Sequence, residues 1–308
     1  MTARVLPART LSATLYVSPQ LATFLLLVPP LLWFGTVYLG SLLSLLTQSF
    51  YTIDDFTGEI VRALSLGTYR QLLAQPANID IVLRTGLMAL AVAGASVVVA
   101  FPLAYFMARY TSGATRAFFY VAVMLPMWTS YLVKVYAWRL ILAKQGIFSW
   151  LLGSLGLSSA LDALLRLPWV GGPSLASSYL GVFAVFVYMW LPFVILPIHA
   201  ALERVPASYL EASGDLGATP RQTFWHVTVP LAVPGIAAGT VFAFSLTLGD
   251  YIIPQVVGAP GYFIGMMIYE QQGTAGNIPL AAAFSIVPIL LIAVYLTLAK
   301  RWGAFDAL

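Results

Sequence analysis

Long apolar runs alternate with short polar stretches along this chain. Six runs stand out, at 21–46, 85–107, 118–142, 179–200, 236–257 and 281–298. At about 1.5 Å of rise per residue, roughly 20 apolar residues carry a helix across a bilayer core. Each run therefore reads as a membrane-crossing helix. Pro102, Pro126, Pro192, Pro197 and Pro254 fall inside the runs, and helices packed among other membrane helices tolerate such residues better than soluble ones do. The predicted fold class is all-α, a polytopic membrane protein with six transmembrane helices in a single domain, 1–308.

Three polar stretches separate these runs. The stretch 50–81 holds Asp54, Asp55 and Glu59. The stretch 143–178 mixes Gly and Ser with short apolar runs, which predicts helices lying along a membrane face. The stretch 202–230 is the largest polar segment on its side. Arg4 and Arg9 precede the first run, as in a secretory signal, but 21–46 is too long for a signal core of about 7–15 residues and lacks a cleavage site. The first run is expected to stay in place as a spanning helix.

Composition agrees with this pattern. The chain of 308 residues is 60% hydrophobic and 8% charged, with a mean hydropathy of +0.90. A soluble domain carries roughly 25% charged residues. Six spans leave no room for a nucleotide-binding domain in the same chain. The net charge of +4 does not point to nucleic acid, because no run of Lys and Arg occurs. Cysteine is absent, which excludes disulfides, thiol catalysis and Cys-ligated zinc, and His199 and His226 are too isolated for a metal cluster. No cofactor is expected.

Basic residues set the expected orientation. With the N-terminus inside, inner segments hold Arg4, Arg9, Arg109, Arg116, Arg204, Arg221, Lys300 and Arg301, and outer segments hold Arg62, Arg70, Arg84, Arg139, Lys144 and Arg166. The short loop 108–117 and the Lys300-Arg301 pair are the most informative pieces. Both place both termini in the cytoplasm.

The inner loop runs Glu203-Arg204-Val205-Pro206-Ala207-Ser208-Tyr209-Leu210-Glu211-Ala212-Ser213-Gly214-Asp215-Leu216-Gly217-Ala218-Thr219-Pro220 and on to Pro230. It predicts two short helices. One starts after Pro206 and ends near Leu216, with Gly217 in the turn; the second has Thr219 as N-cap and Pro220 at its first position. Such a pair held between two spans makes a rigid protrusion able to transmit force.

Glu211-Ala212-Ser213, Gly217, Val227 and Pro230 resemble the EAA motif of binding-protein-dependent ABC importer permeases (E-A-A, three residues, G, nine residues, I, one residue, L-P). The departures are Ser213 for Ala, Val227 for Ile and Val229 for Leu. The resemblance extends in span count and loop order over nearly the whole chain. It implies the type I permease fold in a bacterial inner membrane. It also implies that Glu211, Ala212, Ser213, Gly217 and Ala218 belong to a coupling helix docking on a cytoplasmic ABC ATPase dimer. Further implied partners are a second, related permease subunit and an extracytoplasmic solute-binding protein. The segment Leu125 to Trp138, Trp190-Leu191-Pro192-Phe193, and Leu248 to Pro254 look like the subgroup serving spermidine and putrescine, which also includes importers of other small solutes.

Ionisable residues inside spans are costly and usually functional. Lys134 lies 16 residues into 118–142 and Asp250 lies 14 residues into 236–257, similar depths of about 21–24 Å. They are expected to approach one another or to share the outer half of a translocation path. Asp250 reads two ways. It attracts a cationic solute, helped by Tyr251, Trp128 and Tyr131 through cation–π contacts, or it forms a structural ion pair with Lys134 or a hydrogen bond that fixes helix packing. Glu270 is a further candidate on an outer loop, and Trp138 reads as an interfacial belt residue.

No catalytic arrangement emerges, since the serines lack an arranged base and no G-x-S-x-G or phosphate-loop run occurs. The expectation is an ATP-driven permease for a polyamine or for another amine, opine or phosphonate, working by alternating access. An ion-coupled secondary transporter would call for more intramembrane carboxylates and an inverted repeat, and an intramembrane enzyme for catalytic residues at membrane depth.

Overall fold

The computed structural model describes residues 19–54 and 56–301. Arg4 and Arg9 and the second acidic residue of the first outer loop, Asp55, lie outside the described residues. Among the described residues, chain order begins with α1 (Pro19–Trp33), a π-helical stretch (Phe34–Leu39) and α2 (Gly40–Gln48). Together they supply the span Ala22–Gln48. A small hairpin follows, β1 (Thr52–Ile53) antiparallel to β2 (Ile60–Val61), with Thr52 opposite Val61. This ribbon and α3 (Gly67–Ala74) occupy a stretch expected as polar loop.

The second span, α4 (Pro76–Tyr110), starts nine residues before the apolar run at 85. Pro76 takes the first helical position, where a missing N–H costs nothing. Asp80 and Arg84 form an i,i+4 ion pair on the added turns, so the helix continues through positions that hydropathy reads as loop.

The third run is not one straight helix. α5 (Gly113–Trp128) and α6 (Tyr131–Ile141) are bent by 93° at Thr129-Ser130. The break frees the Pro126 carbonyl, and two side chains satisfy it: Thr129 Oγ1 donates at 2.8 Å and Lys134 Nζ at 2.7 Å. Unpaired backbone groups are expensive away from water, so Lys134 has a local reason to be there. α7 (Ile147–Ser154) and α8 (Ser158–Leu165) fill the next stretch as two short helices.

α9 (Tyr179–Glu203) is the fourth span, and α10 (Ala207–Asp215) follows it. The second predicted short helix, α11 (Pro220–Thr223), does not end. It runs through a π-helical turn (Phe224–Thr228) into α12 (Val229–Gly249), making one span Pro220–Gly249. That span begins 16 residues earlier than its apolar run and stops before Asp250. The remaining elements are α13 (Ile252–Val257), α14 (Ile264–Gly273) and the last span, α15 (Ile278–Arg301). Among the described residues, five helices and the bent pair are thus long and apolar enough to cross a membrane.

The core sits among α4, α9 and α12. On α4 a stripe of small side chains, Ala89, Ala93, Ala100 and Ala104, is buried and lets its neighbours approach closely. On α12, Gly235 lies against Pro197 and Ile198, and Gly239 against Val194, all on α9. Large apolar side chains such as Leu26, Val98, Leu132, Leu140 and Leu290 point outward, as suits a lipid-facing surface. α4 and α9 run parallel, with Arg84 near Tyr179 at their starts and Arg109 near Val205 at their ends. The end carrying 203–219 is the near end; the end carrying 250–277 is the far end.

Candidate functional site

At the near end, the loop 203–219 is built to hold one shape. α10 is closed by a turn in which Gly217 has φ +79, a conformation that penalises a side chain. Ala218 N donates to Ser213 O at 3.1 Å and Gly217 N to Gly214 O at 2.8 Å, the paired bonds of a Schellman turn. Thr219 then opens α11 with a reciprocal capping box. Its hydroxyl accepts from Gln222 N at 3.4 Å, and the Gln222 side chain accepts from Thr219 N at 2.8 Å. Ser213 Oγ and Thr223 Oγ1 share a 2.8 Å hydrogen bond across the joint. His226 Nδ1 lies 3.0 Å from Gln222 O, within the same helix. Glu211, Ala212 and Gly217 are exposed, Ala218 is half-buried, and Leu216 at 89% exposure projects furthest.

The base of this loop is tied to the neighbouring spans by residues that sequence reasoning did not single out. Arg109, at the end of α4, donates through both terminal nitrogens to Val205 O at 3.3 Å. Arg116, on the first turn of α5, pairs with Glu203 at 2.9 Å and donates to Thr111 O at 2.8 Å. Tyr120 Oη and His199 Nδ1 are 2.9 Å apart. The available signal was the placement of Arg109 and Arg116 at span ends, where they read only as orientation markers, and of Glu203 at the head of the loop.

At the far end, Asp250 occupies the break between α12 and α13. Its Oδ1 accepts from Ile253 N at 2.8 Å, capping α13, and its Oδ2 accepts from the Tyr131 hydroxyl. Neither Asp250 nor Lys134 therefore lies within a continuous span, and the equal-depth argument gives way to two helix breaks that meet where α6 packs on α13. Lys134 does not pair with Asp250; its ammonium is held by the Pro126 carbonyl. Of the two structural alternatives for Asp250, the geometry gives the hydrogen bond, donated by Tyr131, and not the ion pair with Lys134.

The aromatic candidates separate. Tyr131 lies near the Trp190 ring (centroids 6.3 Å apart) and Tyr251 stacks on Tyr269 at 4.7 Å. Trp128 is 72% exposed at the end of α5 and stands outside this cluster. Trp138, expected at the interface, packs on Tyr188 at 5.0 Å. Glu270 lies on α14, not on a loop, and its carboxylate beside the Tyr262 hydroxyl pushes that phenol's pKa up. Two clefts flank these residues. One of about 250 Å³ is lined by Pro126, Tyr131, Lys134, Tyr188, Trp190 and Phe193. The other, of about 170 Å³, is lined by Gln255, Tyr262, Tyr269 and Glu270. Among the described residues no three His, Asp or Glu side chains converge as a metal set.

A family profile described as "Binding-protein-dependent transport system inner membrane component" matches residues 100–304. The chain is 63% identical over 291 residues to the inner membrane ABC transporter permease protein YdcU of Escherichia coli (strain K12), covering 94% of this chain and 93% of that one. It is 30% identical over 269 residues to the spermidine/putrescine transport system permease protein PotB of the same strain, covering 87% and 92%. Among solved structures it resembles a chain of a bacterial ABC transporter involved in import of the acidic polysaccharide alginate, with a TM-score of 0.62 at 18% identity, covering 95% of this chain and 99% of that one. A second structure, of a bacterial alginate ABC transporter in complex with an alginate pentasaccharide-bound periplasmic protein, gives a TM-score of 0.64 at 18% identity, covering 92% and 94%. At that identity these two speak for the fold alone.

Proposed function

The chain belongs to the binding-protein-dependent transport system inner membrane components, and from that premise we propose that it carries a small cationic solute, with polyamines first, into the cytoplasm. It is an ABC importer permease subunit with the type I fold, a multi-pass inner-membrane protein and not an enzyme. The 30% identity to a spermidine/putrescine permease supports the finer reading. The observation that carries it is Asp250, a carboxylate set at a helix break beside Tyr131 and Tyr251. An ammonium group meeting that carboxylate replaces the neutral Tyr131 hydroxyl with a donor of opposite charge, adding Coulombic attraction to the hydrogen bond.

In this reading the whole chain works as one transmembrane domain, with the near end and both termini in the cytoplasm. Glu211, Ala212, Ser213, Gly217 and Ala218 dock on one subunit of an ATPase dimer on separate chains. A second, different permease subunit completes the pore, and a solute-binding protein delivers the solute at the far end. ATP binding closes the ATPase dimer and turns the pore outward; hydrolysis and product release turn it back. Asp250, Tyr131, Tyr251 and Glu270 line the solute's way, and Lys134 holds the bend that shapes it. The exposed Trp128 stays a weaker candidate.

The test is ATPase activity and uptake by the reconstituted complex with its binding protein, given putrescine, spermidine and an anionic control. Stimulation by polyamine, its loss in Asp250→Asn, and uncoupled hydrolysis in Glu211→Ala are the expected results. Stimulation by the anionic solute alone refutes the cationic reading, and wild-type coupling in Glu211→Ala refutes the docking role.

A further inference from the structure

Both ends of α4 grip something that matters to transport, and the helix between them is a single piece. At the near end, Arg109 holds the Val205 carbonyl at 3.3 Å, one residue before Pro206, which precedes α10. The far side of the same loop is held too. Phe224, where the chain leaves α11, meets the rings of Phe101 and Tyr105 edge-on at 5.8 and 5.6 Å. At the far end, Arg84 donates to Tyr262 O at 3.2 Å, and buried Thr85 Oγ1 accepts from the buried Ile264 N–H at 3.0 Å. Ile264 opens α14, and the next residue, Gly265, lies so close to the Asp250 carbonyl that an added Cβ would be 2.7 Å from it. Motion of the α14 start is therefore felt at Asp250.

From Thr85 to Arg109 the helix spans about 36 Å at 1.5 Å per residue, more than the roughly 30 Å hydrocarbon core. Its weak point is Pro102, since an internal proline removes a hydrogen bond and invites a kink. That point is splinted, because Phe101 and Tyr105 stand on either side of it and share the Phe224 ring. Rigid elements with anchored ends are the physical route by which one site biases another.

We infer that α4 is the strut that carries displacement of the 203–219 loop to α14 and the Asp250 break, with Arg109 and Thr85 as its positioning residues. The inference rests on the permease reading above. The two joints differ in kind. The Arg109 joint is charge-assisted and partly exposed, whereas the Thr85 joint is a buried neutral hydrogen bond whose loss strands the Ile264 N–H.

The chain has no cysteine, so spin labels can be placed at Gln272→Cys on α14 and Ser158→Cys on α8, in the full complex with cysteine-free partners. In the wild type, trapping with ATP and vanadate should change the distance between the two labels. Arg109→Ala and Thr85→Val should each reduce that change by at least half while ATP hydrolysis continues, and Thr85→Ser, which keeps the hydroxyl, should restore it. If Arg109→Ala fails to assemble, the Val and Ser variants at Thr85 decide alone. A full distance change in Thr85→Val, or no nucleotide-driven change at α14 in the wild type, overturns the strut. A chain that retains no ATPase on purification overturns the permease reading as well, and that result is visible before any label is read.

Discussion

Gly235 on α12 offers a sharp test of how closely the central helices are packed. A Cβ built there would lie 2.5 Å from Pro197 O, 2.6 Å from Ala201 Cβ and 3.1 Å from Ile198 Cα. The nearest contact falls about 0.9 Å short of the 3.4 Å at which ordinary van der Waals contact begins. Two of the three atoms are backbone of α9, so no rotamer change relieves the clash, and the helices must separate. Overpacking of this sort costs about 1–3 kcal/mol. Replacing glycine by alanine in a helix returns about 0.5–1 kcal/mol of propensity. The net loss for Gly235→Ala is therefore about 1 kcal/mol, within a span of roughly 0–2.5, or about fivefold in the folded population. Gly94 on α4 is the control, since nothing lies within 4 Å of a Cβ built there. Gly94→Ala should be neutral or stabilising. The assay is reversible unfolding of the detergent-solubilised chain by titration with a denaturing detergent, read by tryptophan fluorescence for both variants. If Gly235→Ala is no less stable than Gly94→Ala, the close approach of α9 and α12 is refuted.

Two further outcomes follow from the polar ends. Thr219→Ala removes the capping box that opens α11 and should cost about 1 kcal/mol; the same titration measures it, and Thr219→Ser should recover most of the loss. In the β1–β2 hairpin, the backbone N–H groups of Thr57 and Phe56 donate to Asp54 and hold its carboxyl below its ordinary value of 3.8. A depressed folded pKa gives a contribution that is complete above the unfolded value and lost as pH falls through the folded one. Amide hydrogen exchange at Phe56 and Thr57, corrected for intrinsic rates, should stay protected at pH 6 and open progressively as pH falls from 3.8 through the depressed folded value; protection still unchanged once the carboxyl is fully protonated refutes the link.

The sequence by itself determined the class, because hydrophobicity is a property of composition and each apolar run is long enough to cross a bilayer unaided. It also determined the loop between the fourth and fifth spans. Gly217 and Thr219 act on their own backbone within a few residues, so the turn and the cap are local chemistry and appear where the residue types put them. Only the tertiary structure decided where the spans break. Thr129-Ser130 and Asp250 are extended breaks in otherwise apolar runs, and hydropathy averages across them. The partners of the charged side chains were equally hidden, since Arg109 and Val205 are 96 residues apart and Tyr131 and Asp250 are 119 apart. Asp250 could be picked out from sequence as a charge in an apolar run and Tyr131 as one of the aromatics near it, but the hydrogen bond that joins them could not. Lys134 was expected to seek the opposite charge; a carbonyl freed eight residues away by the bend, at 2.7 Å, holds it instead. The physical reason is common to all these cases. Capping and the length of an apolar run depend on near neighbours in the chain, whereas burial and pairing across helices depend on which faces meet, and that is fixed only when α4, α9 and α12 close around their small residues.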